Sequence, residues 1–225
     1  MIKRRFGKTD VELSQLGFGC MRFPIIDTDD PRTIDESEAT EMIHYAIDHG
    51  VNYLDTAYGY HMEMSERFVG KALRKGYRKK TYLATKMPIW LVKGEEDSQK
   101  HFDEQLKRLQ TDTIDMYLLH ALGKDFWKTV KECNILRFLD RIRDAGKIQF
   151  AGFSFHDELP LFKEIVDGYD KWTFCQIQYN YMDTEFQAGT EGLKYAYSKG
   201  LAVVIMEPII GGMLAVQPPK DIQVI

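Results

Sequence analysis

The residues able to do chemistry in this chain recur at one kind of place, directly after short apolar runs. NYLD ends on Asp55, with Tyr58 and Tyr60 close behind it; YLATK ends on Lys86, and MYLLH ends on His120. A phenol, an ammonium and a carboxylate together make an acid catalyst. A free phenol, with a pKa of about 10, donates poorly at neutral pH, but a neighbouring cation favours the phenolate and lowers that value. The carboxylate holds the lysine charged and in place. A histidine beside them donates a hydrogen bond to a substrate oxygen and stabilises negative charge developing there. This set suits the addition of hydride to a carbonyl, where an alkoxide forms and takes up a proton.

Each residue alone also has a purely structural role open to it. Asp55 can accept backbone N–H bonds in the turn that follows it. The stem of Lys86 can cover apolar surface, and His120 can be a hydrogen-bonded strand-end histidine. Tyr58 and Tyr60 belong to a chain with twelve tyrosines, so either can be a packing residue. Trp90 can wall a pocket or pin a loop. A lysine at a strand end also suits Schiff-base chemistry. Their joint occurrence at successive strand ends is what favours the acid-catalyst reading.

The elements that must position these residues follow a repeating order. Residues 2–14 alternate weakly around Gly7-Lys8-Thr9-Asp10, the pattern of a hairpin. Apolar runs at 16–20, 51–54, 81–85, 114–119, 148–153, 174–178 and 202–206 then read as strands. Between them lie six helical patterns. The first, 38–49, has Ala39, Met42, Ile43, Ala46 and Ile47 on one face, Asp35 as N-cap and Gly50 just past its end. Ser65 is the expected cap of the second, and residues 90–99 and 121–129 are expected as loops that shape substrate choice. Strands without polar alternation suit a parallel sheet covered on both faces.

A regular run of this kind favours an α/β fold, a (β/α)8 TIM barrel behind an N-terminal β-hairpin, in one domain spanning residues 1–225. A doubly wound open sheet needs a glycine-rich phosphate loop after its first strand, and Gly17-Phe18-Gly19-Cys20 does not continue as one. The chain closes on PPKDIQVI soon after the seventh strand, so the expected barrel is truncated by its last unit.

Composition narrows the setting. The formal charge of −4 comes from 30 basic and 34 acidic residues mixed along the chain, with no basic stripe for nucleic acid or an anionic membrane. The N-terminus turns polar at once, and no apolar run reaches the roughly eighteen residues of a membrane span. The expectation is a cytoplasmic protein with no nucleic-acid or membrane partner; nothing here sets an oligomeric state. Cys20, Cys133 and Cys175, with no CxxC pair, are expected as buried free thiols, and no metal site is expected.

The sequence resembles the aldo-keto reductase family from the hairpin to the last residue. The residues that carry the likeness are Asp55-Thr56-Ala57, Tyr60, Ser65-Glu66, Gly70-Lys71-Ala72-Leu73, the lysine of Ala84-Thr85-Lys86 and the histidine of Tyr117-Leu118-Leu119-His120. The resemblance implies NAD(P)H-dependent reduction of a small-molecule carbonyl. It assigns Tyr60 as general acid, with Tyr58 second because its spacing from Asp55 is wrong, Lys86 and Asp55 as its tuning partners, and His120 as the group orienting the carbonyl. The implied cofactor is NADPH, with NADH as the other possibility. Gly19, Cys20 and Met21 correspond to the loop beneath the nicotinamide, Ser154 and Gln176 to residues gripping its carboxamide, and Met206 to an aromatic position stacking on it. Asp55 and Glu207 complete the implied cofactor end. Phe155 replaces the usual Asn after Ser154. The family's adenosine-phosphate segment follows an eighth strand and lies outside these residues. Phe153-Ser154-Phe155-His156 and Glu207-Pro208-Ile209-Ile210-Gly211-Gly212 resemble longer members with an iron–sulfur extension; no cluster is expected here. A non-catalytic cofactor-binding or regulatory barrel is the alternative.

Overall fold

The computed structural model describes residues 1–217, so the closing PPKDIQVI, residues 218–225, lies outside the described residues. The chain opens on an antiparallel hairpin, β1 (Lys3–Arg5) and β2 (Glu12–Ser14), with Lys3 opposite Ser14 and Arg5 opposite Glu12. Seven parallel strands follow: β3 (Phe18–Gly19), β4 (Tyr53–Asp55), β5 (Tyr82–Met87), β6 (Ile114–Leu122), β7 (Ile148–Phe155), β8 (Phe174–Gln178) and β9 (Ala202–Met206). They lie in one sheet in sequence order, each paired with the next, with β3 and β9 at its edges among the described residues. Order and direction match the barrel expectation. No helix among the described residues is long and apolar enough to cross a membrane.

The sheet is curled, and two side chains demonstrate it. Gln176 on β8 donates from Nε2 to Asp55 Oδ2 on β4 at 3.0 Å. In a flat sheet four strand spacings, about 19 Å, would separate those backbones. Curling gives the strands an inside and an outside, and their period of two sorts the residues. Leu54, Leu83, Tyr117, Leu119 and Phe153 face outward into the layer of helices. Tyr53, Ala84, Met116, Leu118, Phe174 and Ala202 face inward, where Phe6 of the hairpin joins them. The Phe6 ring lies 5.7 Å from that of Phe150 and 5.2 Å from that of Phe174, so the hairpin plugs the floor of the curl.

Among the described residues seven α-helices cover the outer face: α1 (Glu36–Asp48), α2 (Ser65–Ala72), α3 (Glu95–Leu109), α4 (Lys124–Glu132), α5 (Ile135–Asp144), α6 (Leu159–Asp167) and α7 (Gly189–Lys199). Asp35 caps α1 as expected, accepting from Ser37 N and Glu38 N at 3.1 Å each. That helix buries Ala39, Ile43 and Ile47, whereas Met42 is exposed. Three further expectations fail. The 121–129 loop is largely α4, a short helix with only Trp127 and Val130 buried, whose first N–H is satisfied by Asp157 Oδ2 at 2.9 Å from beyond β7. The 90–99 loop already contains the first turn of α3. Ser65 is not the cap of α2, because the cap position is Met64 and the buried Ser65 hydroxyl instead donates to the Cys20 carbonyl at 2.9 Å.

Gly70 shows how tightly the helices pack. A Cβ there would lie 2.5 Å from the Arg108 carbonyl oxygen and 2.8 Å from the Leu109 carbonyl carbon, both backbone atoms at the end of α3. Gly70→Ala is therefore expected to lower unfolding free energy by about 1–3 kcal/mol through overpacking, despite alanine's better helix propensity. Urea unfolding at equilibrium reads it, and a stabilised variant would contradict this packing.

Candidate active site

The inward face of the strands that carries Tyr53, Ala84, Met116, Phe174 and Ala202 also carries, further along the same strands, Asp55, Lys86, His120, Gln176 and Met206. Strand periodicity thus aims these side chains at one mouth. Lys86 is the deepest of them, 1% exposed. Its Nζ donates to Asp55 Oδ1, to the Thr56 carbonyl at 3.0 Å and to the Tyr60 hydroxyl oxygen at 2.9 Å. Asp55 Oδ2 accepts from Tyr53 OH at 2.8 Å and from Gln176 Nε2 at 3.0 Å. Every proton of the ammonium has an acceptor, and both carboxylate oxygens have donors. The Tyr60 O–H donates to none of the described residues, and the Tyr60 ring stands edge-on to that of His120, 5.9 Å between centroids.

The electrostatics differ from the expectation in one respect. Burial pushes the Tyr60 phenol up, the Lys86 ammonium pulls it down and Asp55 adds to the rise, so its pKa lies above the ordinary tyrosine value. The expected net lowering by Lys86 does not occur, because burial outweighs the pull of the cation and Asp55 adds to the rise. Tyr60 is consequently protonated at neutral pH, the form a proton donor needs. Burial alone would lower Lys86, but Asp55 and the Tyr60 oxygen outweigh it and hold the amine above the usual lysine range. Burial, Lys86 and His156 push His120 down to about 3, so its ring is neutral. The buried His120 Nδ1 has no hydrogen-bond partner among the described residues.

Tyr58 points elsewhere. Its hydroxyl donates to Glu104 of α3 at 3.0 Å and the Arg108 guanidinium lies 4.0 Å above its ring, both on the helix side of the sheet. Burial and the Glu104 bond raise it to about 12. Cys20 is buried, with its backbone N–H on the Asp55 carbonyl at 2.8 Å, and burial and Asp55 drive its thiol pKa well up. Gly19 pairs with Asp55, and a Cβ there would meet nothing within 4 Å. Met21 is exposed. Ser154 Oγ accepts from the Ala121 N–H at 2.7 Å, fixing the turn that follows His120. Met206 pairs with Gln178 at the β9 edge and Glu207 is exposed beyond it; neither side chain bonds to the Asp55–Lys86 cluster. Trp90, 43% exposed, lies with its ring 5.3 Å from that of His120.

Several supporting residues escape a reading of the sequence. Tyr53 precedes Asp55 by two positions, so strand periodicity alone puts it on the same face. Behind Lys86, on the outer face of β5, Gln105 Nε2 donates to the Lys86 carbonyl at 3.0 Å and to Glu66 Oε1 at 2.6 Å, while Thr85 Oγ1 donates to Glu66 at 2.6 Å. Burial raises the Glu66 carboxyl above its ordinary value against those bonds. Nothing local in the sequence signals this network, which joins three elements.

Known proteins match this architecture. The profile of the Aldo/keto reductase family matches residues 15–224. The chain is 31% identical to an uncharacterized oxidoreductase, YrpG, of Bacillus subtilis over 92% of its own length and 66% of that protein's. It is 31% identical to probable aldo-keto reductase 1 of Glycine max over 67% of its length and 44% of that protein's. It therefore spans between about half and two thirds of these relatives. The structure of aldo-keto reductase AKR11C1 from Bacillus halodurans in its holo form superposes with a TM-score of 0.78 and 29% identity, covering 98% of this chain and 71% of that one.

The low His120 value has a sign that experiment can check. In the unfolded chain imidazole protonates near pH ~6.5, whereas the folded ring resists until about 3. Between those values the unfolded state binds the extra proton, so stability falls as pH falls through that window. His120→Asn is expected to lose stability less steeply between pH 7 and 4 than wild type, measured by urea unfolding at each pH. Equal slopes would mean that His120 protonates normally in the fold.

Proposed function

The chain belongs to the aldo/keto reductase family, and on that premise we propose that it reduces an aldehyde or ketone to an alcohol with hydride from NADPH, Tyr60 supplying the proton. The observation that carries the proposal is the placement of Lys86 Nζ, bound at once to Asp55 and to the Tyr60 oxygen, with the Tyr60 hydrogen left free. As charge develops on the substrate oxygen, Tyr60 gives up its proton along that free direction. The phenolate left behind is stabilised by Lys86, whose ammonium is kept charged by Asp55. Neutral His120 stands beside Tyr60 and donates one hydrogen bond to the same substrate oxygen, fixing its orientation.

The residues suit a nicotinamide cofactor, which supplies the hydride when bound. The Ser154 hydroxyl, already an acceptor for Ala121 N–H, has its hydrogen to give, and Gln176 Oε1 accepts from none of the described residues. One donor and one acceptor complement a carboxamide. Open space above Gly19 and the exposed Met21 leave a path for the ring. NADH meets the same groups, and Met206 and Glu207 would border the site from β9. The substrate is a small carbonyl compound, the setting cytoplasmic, and residues 1–225 act as one domain.

Schiff-base chemistry at Lys86 is disfavoured by the same geometry. A nucleophilic amine must be neutral, and Asp55 holds Lys86 in its charged form.

Mixed with NADPH and a panel of aldehydes, the protein is expected to oxidise the cofactor, followed by nicotinamide absorbance. Tyr60→Phe should lower kcat by about 10²–10⁴-fold with cofactor binding retained, read by tryptophan fluorescence. Equal, slow oxidation by both proteins would overturn the catalytic reading. Cofactor binding without turnover would instead favour the non-catalytic binding module.

A further inference from the structure

The turn that brings Tyr60 to the mouth runs through three consecutive left-handed residues, His61, Met62 and Glu63, with φ of 52°, 50° and 72°. None is glycine, and in this region an L side chain crowds the following carbonyl oxygen. Such a run persists only where its surroundings over-determine it. On one side, Glu63 Oε2 accepts from Arg108 Nη2 at 2.6 Å. Within the turn, Met64 N–H donates to the His61 carbonyl at 3.1 Å and Ser65 N–H to the Tyr60 carbonyl at 3.2 Å.

On the other side stands His61 itself, a buried ring with both nitrogens used. Its Nε2 accepts from the Phe23 backbone N–H at 2.9 Å, and its Nδ1 lies 2.7 Å from the Pro31 carbonyl oxygen. One partner is a donor and the other an acceptor, so the ring carries its hydrogen on Nδ1. The Phe23 ring stacks on the imidazole with centroids 5.5 Å apart and packs edge-on to Phe68 of α2 at 4.9 Å. Phe23 and Pro31 belong to the connection between β3 and α1, which is closed on itself by the Ile25–Ile34 bridge and by Asp35 N–H on the Pro24 carbonyl. His61 thus ties a self-contained loop to a strained turn, one residue away from Tyr60.

We propose that His61 is a positioning residue: by holding Phe23 N–H and Pro31 C=O it clamps the β3–α1 connection to the left-handed turn and so sets the Tyr60 phenol on the Lys86 ammonium. It touches none of the reacting groups. The inference rests on Tyr60 as the proton donor for its catalytic consequence, while the clamp itself is a structural fact that can be read without turnover.

The test compares wild type with His61→Gly and His61→Asn. Glycine adopts the left-handed backbone without strain but offers neither hydrogen bond, and asparagine tolerates that backbone while its short amide reaches at most one partner. Three readouts are taken: amide exchange of peptides covering 21–34 and 58–65, the Tyr60 resonance in protein labelled with 13Cζ-tyrosine and assigned through Tyr60→Phe, and kcat for NADPH-dependent aldehyde reduction. In His61→Gly both peptides are expected to exchange at least about tenfold faster, as local opening requires. The Tyr60 resonance should shift as the phenol leaves Lys86, and kcat should fall roughly 10²-fold, the cost of displacing a catalytic group by about an ångström. His61→Asn should fall between the two. An unmoved Tyr60 resonance in His61→Gly, or faster exchange with kcat at the wild-type value, overturns the proposal. If wild type reduces no carbonyl, the functional reading of Tyr60 fails, and the resonance and exchange still decide whether His61 positions it.

Discussion

A buried ion pair sets the terms for the rest of this structure. Lys86 and Asp55 face into the curl of the sheet, where each ion forfeits several kcal/mol of hydration. Mutual attraction recovers that loss only if every remaining donor and acceptor is also satisfied. The fold meets this demand with groups from four places: Tyr53 from the same strand, Thr56 from the turn after it, Gln176 from the far side of the curl, and Tyr60 from the loop above. Each partner imposes a condition. Gln176 reaches Asp55 only because the sheet curls, and the curl has a floor because the hairpin puts Phe6 against Phe150 and Phe174. Tyr60 reaches Lys86 only through a turn that three residues adopt against their own preference. In the proposed function the tyrosine's chemistry is thus a by-product of solving a burial problem.

The same pairing explains an electrostatic result that a two-body picture misses. An ammonium beside a phenol is expected to acidify it, but here the ammonium is already committed to a carboxylate. Seen from Tyr60, burial is the largest influence and sets the sign, with the cation pulling the value down and the anion adding to the rise. In the proposed chemistry the proton stays on Tyr60 until negative charge appears on a neighbouring oxygen, while Asp55 keeps Lys86 charged throughout. Burial likewise keeps His120 neutral, which in the proposed chemistry leaves hydrogen-bond donation to His120 and proton donation to Tyr60.

How much of this is legible in the sequence depends on the range of the interaction. Apolar runs and the period of two within strands are local signals, and they suffice to put Asp55, Lys86, His120, Ser154 and Gln176 on successive parallel strands. The strand order and the Asp35 cap are legible for the same reason. What escapes depends on partners distant in the chain. The α4 helix reads as a loop because its first N–H is capped by Asp157, and Ser65 reads as a cap because its true partner, the Cys20 carbonyl, belongs to another strand's end. Local grounds do not separate the two tyrosines of the turn. Tyr58 is drawn outward by Glu104 and Arg108 of α3, which leaves the inner face to Tyr60. His61, flanked by tyrosine and methionine, carries no local sign that its ring is bonded on both nitrogens.

The proposed chemistry requires hydride to reach a carbonyl carbon in this mouth. The direct measurement is a single turnover with NADPH carrying deuterium at the transferable C4 position and an aldehyde substrate, with the alcohol analysed by mass spectrometry and NMR. The predicted result is one deuterium on the carbinol carbon, delivered to a single face, and none in alcohol formed without the protein. Cofactor bound but no deuterated alcohol formed, under conditions where the protein is folded and saturated, would contradict it.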